Sequence, residues 1–256
     1  MFAPDEVAEK VVGAGEAKAK LPVWKMLVLG ILAGAFIALA GVGATIGGIY
    51  GGKIASACIF PAGLAMVVVA GSELFTGNNL MLMALFSRKI RLYHLLKNWS
   101  FVFLGNLIGA GLVALIVILS GVLDSAMDTV VATANAKVSM DFFEAMFRGI
   151  LCNFLVCIAV WMAFYAKTVS GKIMAVFFPV MLFVLCGFEH SVANMYYVPA
   201  GIFAKMFGAS GGDAVSVSSF LLNNLLPVTI GNIIGGAFFV GGSYYLIFAR
   251  EKLSKK

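Results

Sequence analysis

Charged residues are scarce in this sequence. Asp, Glu, Lys and Arg make up 12% of its 256 residues, whereas 62% are hydrophobic. A soluble domain of ordinary composition carries about 25% charged residues, so the composition excludes a typical soluble enzyme or binding domain. Long apolar runs are present instead, and about 20 apolar residues are enough to cross a bilayer. The composition therefore predicts an all-α integral membrane protein that forms a single domain over residues 1–256.

Cysteine and histidine are also few. Four cysteines lie within apolar runs and form no C-x-x-C pair: Cys58, Cys152, Cys157 and Cys186. They indicate neither a disulfide framework nor a zinc site, and we expect no metal and no cofactor. A membrane-anchored redox subunit is the alternative from another functional class. It is disfavoured because His94 lies in the basic segment SRKIRLYHLLKNW, far by topology from the second histidine, His190.

The first 22 residues lack the features of a secretory leader. They contain four acidic side chains and no unbroken apolar core, which excludes a signal peptide. Pro4 and Asp5 favour the start of a helix, and Val7 and Val11 would share one face of it. We expect residues 1–22 to form an amphipathic helix on the cytoplasmic surface of the membrane. Gating of a pore is the alternative role for this helix.

Six apolar segments follow, and their flanking charges predict the orientation. They cover about 24–50, 57–86, 99–120, 142–166, 173–207 and 220–249, and the second and fifth are interrupted. Fourteen of the 18 basic residues fall on the side that holds both termini: Lys10, Lys18, Lys20, Lys25, Arg88, Lys89, Arg91, Lys97, Lys167, Lys172, Arg250, Lys252, Lys255 and Lys256. Because Lys and Arg collect on the cytoplasmic side, we expect both termini to be cytoplasmic. The net charge of +6 then needs no nucleic-acid partner.

Three short sequences recur in the same order and indicate a duplication. FPAGL (60–64) matches FPVML (178–182), GSELFTGN (71–78) matches GFEHSVAN (187–194), and GNLIG (105–109) matches GNIIG (231–235). The predicted copies are 24–120 and 142–249, with 121–141 as the connecting loop. Each copy has three spans, an odd number, so the second enters the membrane from the opposite side as an inverted repeat. Irregular backbone is tolerated within a bilayer only where it is buried in protein or lines a water-filled path. We therefore expect the interruptions of the second and fifth spans to flank a pathway.

Residues shared by the two interruptions are predicted to be structural. Glu73 and Glu189 are equivalent, as are Asn78 and Asn194. A helix that restarts after a break exposes unpaired amides with partial positive charge, and these four side chains are suited to satisfy them. Proton handling is the alternative role for the two glutamates.

Residues that differ between the interruptions are predicted to carry the chemistry. His190 stands opposite Leu74, and Thr76 stands opposite Val192. Histidine exchanges protons near neutral pH because its unperturbed pKa is about 6.5. The alternative is that His190 is a neutral side chain, hydrogen-bonded where two helices meet.

At this point the residues resemble a known family. GSELFTGN, GFEHSVANM, NNLLPVTIGNIIGG and RGILCNFLVCIAVWMA are similar to segments of the formate/nitrite transporter family, and the resemblance runs from about residue 20 to residue 250. It implies an aquaporin-like fold of six transmembrane helices with broken second and fifth helices. It also implies a homopentamer in the cell membrane, with one pore for a small anion in each subunit and no enzymatic activity.

The resemblance also implies roles for individual residues. His190 falls on the central pore histidine, Thr76 on the threonine of the interrupting loop, and Lys137 on the lysine of the outer vestibule. Asn153 and Asn232 fall on pore-lining asparagines. The apolar constrictions fall on Phe60, Leu64 and Leu74 toward one side and on Phe183 toward the other.

Formate is the first choice of substrate, with nitrite and hydrosulfide as alternatives. A full charge at the bilayer centre costs several kcal/mol. We expect Lys137 to concentrate anions and His190 to supply a hydrogen-bond donor or a proton. Channel and proton-coupled carrier both remain open at this stage. A neutral-solute channel is disfavoured because the interruptions lack an N-P-A motif and contain His190.

Overall fold

The computed structural model describes residues 2–250, and this part of the chain is helical without a strand. The helices are α1 (Pro4–Ala19), α2 (Val23–Ile59), α3 (Pro61–Ala70), α4 (Phe75–Phe86), α5 (Leu92–Leu119), α6 (Met127–Val138), α7 (Phe142–Tyr165), α8 (Val169–Cys186), α9 (Ser191–Met206) and α10 (Val217–Ala249). Three basic residues used to predict the orientation lie outside the described residues: Lys252, Lys255 and Lys256.

Among the described residues, five helices are long and apolar enough to span a membrane. The first is a 48-residue run, Val23–Ala70. That run contains the first predicted span and the beginning of the second. The two are divided at Gly52, whose φ of 71° and ψ of −170° are not helical. After Gly52 the chain reverses direction and runs back beside the segment that precedes Gly52. A Cβ atom at Gly47 would clash with Ile59, and one at Gly63 would clash with Ala40. The first span and the start of the second therefore pack antiparallel and meet at Gly52.

The second and fifth spans are both broken, as predicted. Helix α3 ends at Gly71 with φ 76°, and α8 ends at Gly187 with φ 72°. Glycine adopts this left-handed conformation without the steric cost that a Cβ atom imposes, which makes it a common helix terminator. Counting that glycine, four non-helical residues separate the two helices in each case, before α4 or α9 begins.

The backbone of the first break is held by one buried asparagine on α5. Asn106 donates from Nδ2 to the carbonyl oxygens of Gly30 at 2.8 Å and Glu73 at 3.0 Å. Its Oδ1 accepts from the amide of Phe75 at 2.9 Å. A buried backbone group without a partner costs free energy comparable to a lost hydrogen bond, so this side chain makes the break tolerable inside a membrane.

The second break repeats that arrangement. Asn232 on α10 donates to Gly149 at 2.8 Å and Glu189 at 3.0 Å, and it accepts from the amide of Ser191 at 2.9 Å. Four residues in each half thus make the same three bonds as their equivalents in the other half. The predicted duplication is present at the level of individual hydrogen bonds.

Glycines allow close packing of the helix pairs that carry these asparagines. Cβ atoms at Gly34 or Gly109 would overlap the backbone of the facing helix in the α2–α5 pair. Gly231 and Gly235 approach the backbone of α7 in the same way. Small residues at such contacts are the usual means by which helices associate within membranes.

Two short amphipathic helices lie at the ends of this bundle. Helix α1 starts at Pro4, as predicted, and buries Val7 and Val11. Residues 121–141, expected to form a loop, contain α6 instead. Its buried residues include Val130 and Ala134, spaced four apart on one helical face.

Candidate functional site

Two cavities adjoin the broken helices. The first, of about 370 Å³, is the α1-side cavity, and its lining includes Lys18, Leu64, Glu73, Leu74 and Asn78. The second, of about 560 Å³, is the α6-side cavity, and its lining includes Phe60, Lys137, Phe183, Glu189 and His190. Residues of the first break line one cavity and residues of the second break line the other. The candidate site is the region between the two cavities.

His190 and Thr76 meet in this region, although they come from opposite repeats. Oγ1 of Thr76 lies 2.9 Å from Nε2 of His190, and the two residues are 0% and 3% exposed. His190 is also the N-cap of α9, because its Nδ1 accepts from the amide of Ala193 at 3.0 Å. With Nδ1 occupied as an acceptor, the neutral imidazole carries its proton on Nε2 and donates to Thr76. The site thus holds one imidazole N–H donor in a fixed orientation.

Aromatic side chains pack beside this donor where it borders the α6-side cavity. The ring of Phe183 stacks on His190, with centroids 5.8 Å apart and planes 15° apart. Phe60 meets Phe183 edge-on, also at 5.8 Å. Phe60 therefore lies with Phe183 and not with Leu64 and Leu74, which corrects the grouping implied by the resemblance. Leu64 is four residues further along α3, about 6 Å along its axis, and it lines the other cavity.

A buried ion pair stands beside the second break. Nζ of Lys137 on α6 donates to the two carboxylate oxygens of Glu189 at 2.8 and 3.1 Å. Asn194 donates to Glu189 at 2.7 Å and to Oδ1 of Asn224 at 2.8 Å. Asn224 in turn donates to the carbonyl oxygen of Lys137 at 2.9 Å. The four side chains form a closed cluster.

The first break has the same cluster, built on α1. Nζ of Lys18 donates to Glu73 at 2.6 Å and to Asn78 at 2.9 Å. Asn78 donates to Glu73 at 2.7 Å and to Asn98 at 2.8 Å, and Asn98 donates to the carbonyl oxygen of Lys18 at 3.5 Å. Helices α1 and α6 are therefore counterparts, and the duplication extends beyond the predicted bounds of 24–120 and 142–249.

Three members of these clusters were missed in the sequence: Lys18, Asn98 and Asn224. A signal for each was present. Lys18 and Lys137 are 119 residues apart, the same offset as Gly30 and Gly149. Asn98 and Asn224 are 126 residues apart, as are the two asparagines that hold the breaks.

The predicted task of the glutamates is corrected by these contacts. Glu73 and Glu189 lie two residues before the first residues of α4 and α9. Their carboxylates face lysines rather than the amides of the restarting helices. The partners Asn78 and Asn194 likewise bind carboxylates. A buried carboxylate needs an opposite charge and hydrogen bonds to offset its lost hydration. The restart amides are satisfied by the α5 and α10 asparagines and by His190.

The two asparagines expected to line the pore, Asn153 and Asn232, lie outside the linings of both cavities, and their pore-lining role stays a prediction. Asn153 is 0% exposed and donates to the carbonyl oxygens of Asn232 at 2.7 Å and Thr76 at 3.3 Å, and to Oδ1 of Asn79 at 3.2 Å. Asn232 is also 0% exposed, and neither residue lines the two cavities. Their amides are occupied in holding the backbone of the breaks, including the carbonyl of Thr76.

No cluster of three or more His, Cys, Asp and Glu side chains suited to a metal ion occurs within residues 2–250. The second histidine, His94, accepts through Nδ1 from the amide of Arg91 at the start of α5. It lines neither cavity.

Comparisons with known proteins identify the family to which the chain belongs. A family model described as formate/nitrite transporter matches residues 5–246. An uncharacterized transporter, YrhG of Bacillus subtilis (strain 168), is 43% identical over 99% of this chain and 96% of its own length. The formate channel FocA of Escherichia coli (strain K12) is 38% identical over 98% of this chain and 96% of its own. A solved structure described as a pentameric formate channel with formate bound superimposes with a TM-score of 0.81 at 35% identity, covering 88% of this chain and 97% of that one. The chain belongs to the formate/nitrite transporter family.

Proposed function

We propose that the protein conducts small monovalent anions of weak acids across the membrane, with formate as the principal substrate. The observation that carries this proposal is the Nε2–H donor of His190, held by Thr76 between two apolar constrictions and two cavities. The similarity to FocA and to a channel solved with formate bound supports formate. Family membership sets aside the redox subunit.

An anion must lose its hydration water to cross the region between the two cavities. An anion that leaves either cavity enters a region lined by buried apolar side chains, where a full charge costs several kcal/mol. We assign Phe60 and Phe183 to one constriction and Leu64 and Leu74 to the other; narrow apolar rings of this kind exclude hydrated ions. A formate oxygen that displaces the Thr76 hydroxyl receives the hydrogen bond from His190. The neutral acid crosses the same constrictions at lower cost, because it carries no charge.

His190 acts in this proposal as an oriented donor. Its Nδ1 accepts from the amide of Ala193, so a second proton on the ring would remove that bond and place two donors against each other. The proton that makes the substrate neutral then comes from water in the cavity rather than from the imidazole. This reasoning favours one of the two roles predicted for His190 and leaves the ring neutral throughout transport.

We further propose that the α1 side faces the cytoplasm and that both termini lie there. The basic residues of the α1 side, including Lys89, Arg91 and Lys97, outnumber those near α6, and Lys and Arg collect in cytoplasmic segments. We also propose that five copies assemble in the cell membrane, where lipid surrounds them. The similarity to a solved formate channel described as pentameric supports this number of copies.

Nitrite is the alternative substrate, because the family description names both formate and nitrite. Hydrosulfide remains a prediction from the resemblance alone. All three are small and monovalent, and each is the conjugate base of a weak acid, so the same donor and constrictions suit them.

Flux into proteoliposomes tests the proposal directly. Purified protein should carry formate, nitrite and hydrosulfide at measurable rates, formate fastest, with the internal pH recorded in each case. We expect formate flux to rise as external pH falls, because the fraction of neutral acid rises. Protein-free liposomes at the same pH correct for formic acid that crosses the lipid unaided. Formate flux no faster than in these liposomes, at every pH tested, would overturn the proposed function.

A further inference from the structure

The charges at the mouth of the α6-side cavity are unequally available to an anion. Its lining contains Lys53, Lys137, Glu189 and His190. Lys137 donates to both carboxylate oxygens of Glu189, and its side chain is only 15% exposed. The charge of Lys137, expected from the resemblance to concentrate anions, is therefore balanced by Glu189. The unbalanced positive charge in the cavity lining belongs to Lys53.

Lys53 is free to face an entering anion. It is exposed, and the ion pairs formed among residues 2–250 do not include it. It directly follows Gly52, where the chain turns back between the first two spans. The returning segment packs closely against α2, because a Cβ atom at Gly47 would clash with Ile59. The backbone that carries Lys53 is thus held in place by neighbouring helix.

Lys53 lies on a helical face that extends from the mouth of the cavity to the constriction. Lys53, Ser56 and Phe60 are spaced three and four residues apart, which places them on one helical face, and all three line the cavity. Along that face the residues pass from exposed through partly buried to buried. Lys53 lies about 10 Å above Phe60, at a rise of 1.5 Å per residue. Thr129 and Thr133 of α6 also line the cavity.

We propose that Lys53 is the anion-capturing residue of the α6-side mouth. It raises the local concentration of a monovalent anion in the cavity before the anion loses its water at Phe60 and Phe183. The inference rests on the proposed anion transport and adds to it the residue that governs entry from one side. A charge at the rim of a cleft with low-dielectric walls acts over a distance comparable to the Debye length of about 10 Å at 0.1 M salt. Its effect should therefore be on capture and should depend on ionic strength.

The test compares formate entry from the α6 side in membranes of known orientation. The variants are Lys53→Gln, Lys53→Arg and the control Lys205→Gln. Lys205 is near the same end of the bundle, donates to the carbonyl oxygen of Gly212 at 2.7 Å and does not line the cavity. At about 10 mM ionic strength, where the Debye length is about 30 Å, we expect Lys53→Gln to raise the apparent KM for formate roughly twofold to fivefold with little change in maximal rate.

The other arms separate capture from structure. Lys53→Arg should keep the wild-type KM because it keeps the charge, and Lys205→Gln should keep it because the lost charge lies outside the cavity. In about 1 M impermeant salt, where the Debye length is about 3 Å, the Lys53→Gln and wild-type values should converge. Formate entry from the opposite side should be unaffected by the substitution.

Three results would overturn the inference: an unchanged KM in Lys53→Gln at low ionic strength, an equal change in Lys205→Gln, or a change that persists in high salt. Failure of the proposed function is distinct, because the wild-type protein itself would then carry no formate.

Discussion

The two breaks share almost every contact but differ at the residues that face each other. Each break is held by an asparagine from a neighbouring span and flanked by a Lys–Glu–Asn–Asn cluster. Leu74 precedes α4 where His190 precedes α9, and Thr76 occupies the place of Val192. The repeated residues hold non-helical backbone inside an apolar bundle. The residues that break the repeat, Thr76 and His190, form a direct side-chain contact between the halves.

The largest expected effect comes from removing an asparagine that holds a break. Asn232→Leu leaves two carbonyl oxygens and one amide without their partners, and buried groups in that state cost about 1–3 kcal/mol each. We expect a loss of about 4 kcal/mol in stability, measured by thermal unfolding of the purified protein. Asn106→Leu should cost about the same, because its three bonds have the same lengths. If the stability loss of one variant were less than about half that of the other, the two repeats would not be equivalent in energy.

An effect of similar size is expected from breaking one ion pair. Glu189→Leu leaves the ammonium of Lys137 unpaired, and removal of one partner from a buried pair costs about 3–5 kcal/mol. The equivalent change, Glu73→Leu, should cost less, because Lys18 is 28% exposed and Lys137 is 15% exposed. Thermal unfolding should therefore rank Glu189→Leu below Glu73→Leu. The reverse order would contradict the link between burial and cost.

The smallest effect is expected on α1, which offers a matched pair of lysines. Lys18→Met removes the partner of the buried Glu73 and should cost about 1–2 kcal/mol. Lys20→Met removes an exposed bond to Glu16 at 2.7 Å and should cost clearly less than Lys18→Met, because exposed ion pairs contribute little to stability. On this exposed surface the Lys20 ammonium holds the pKa of the Glu16 carboxyl below its ordinary value. Equal stabilities of the two variants would mean that α1 is not anchored through Lys18.

Much of the fold could be predicted from the sequence because the duplication repeats whole motifs. The matching sequence motifs around Glu73 and Glu189 predicted the positions of both breaks. The odd number of spans in each half required an inverted repeat. The helix α6 was not predicted, because four buried apolar residues in 12 are a weak signal in so apolar a chain. The counterpart of α6 is α1, and the two helices are matched in the sequence only by one lysine each, Lys18 and Lys137. That match is visible only through the offset between the two residues.

The site was predicted in its residues more than in its contacts. His190 and Thr76 stood out because they depart from the repeat, and the structure brings them together. The side-chain directions of Glu73 and Glu189 depend on α1 and α6, which no local pattern places beside the breaks. The placement of Phe60 depends on a single helical turn, and the sequence predicts the ends of helices less accurately than that.

The central claim is that His190 works as an oriented hydrogen-bond donor, and two substitutions test it in the same flux assay. His190→Asn keeps an N-cap acceptor and an N–H donor but has no group that exchanges protons near neutral pH. His190→Leu copies the residue of the first repeat and keeps neither. We predict that His190→Asn retains formate flux within about tenfold of the wild type, with the same rise as external pH falls, and that His190→Leu loses flux by about 10²-fold or more. A His190→Asn protein that loses both its flux and its pH dependence would contradict the account and identify the imidazole as the proton donor.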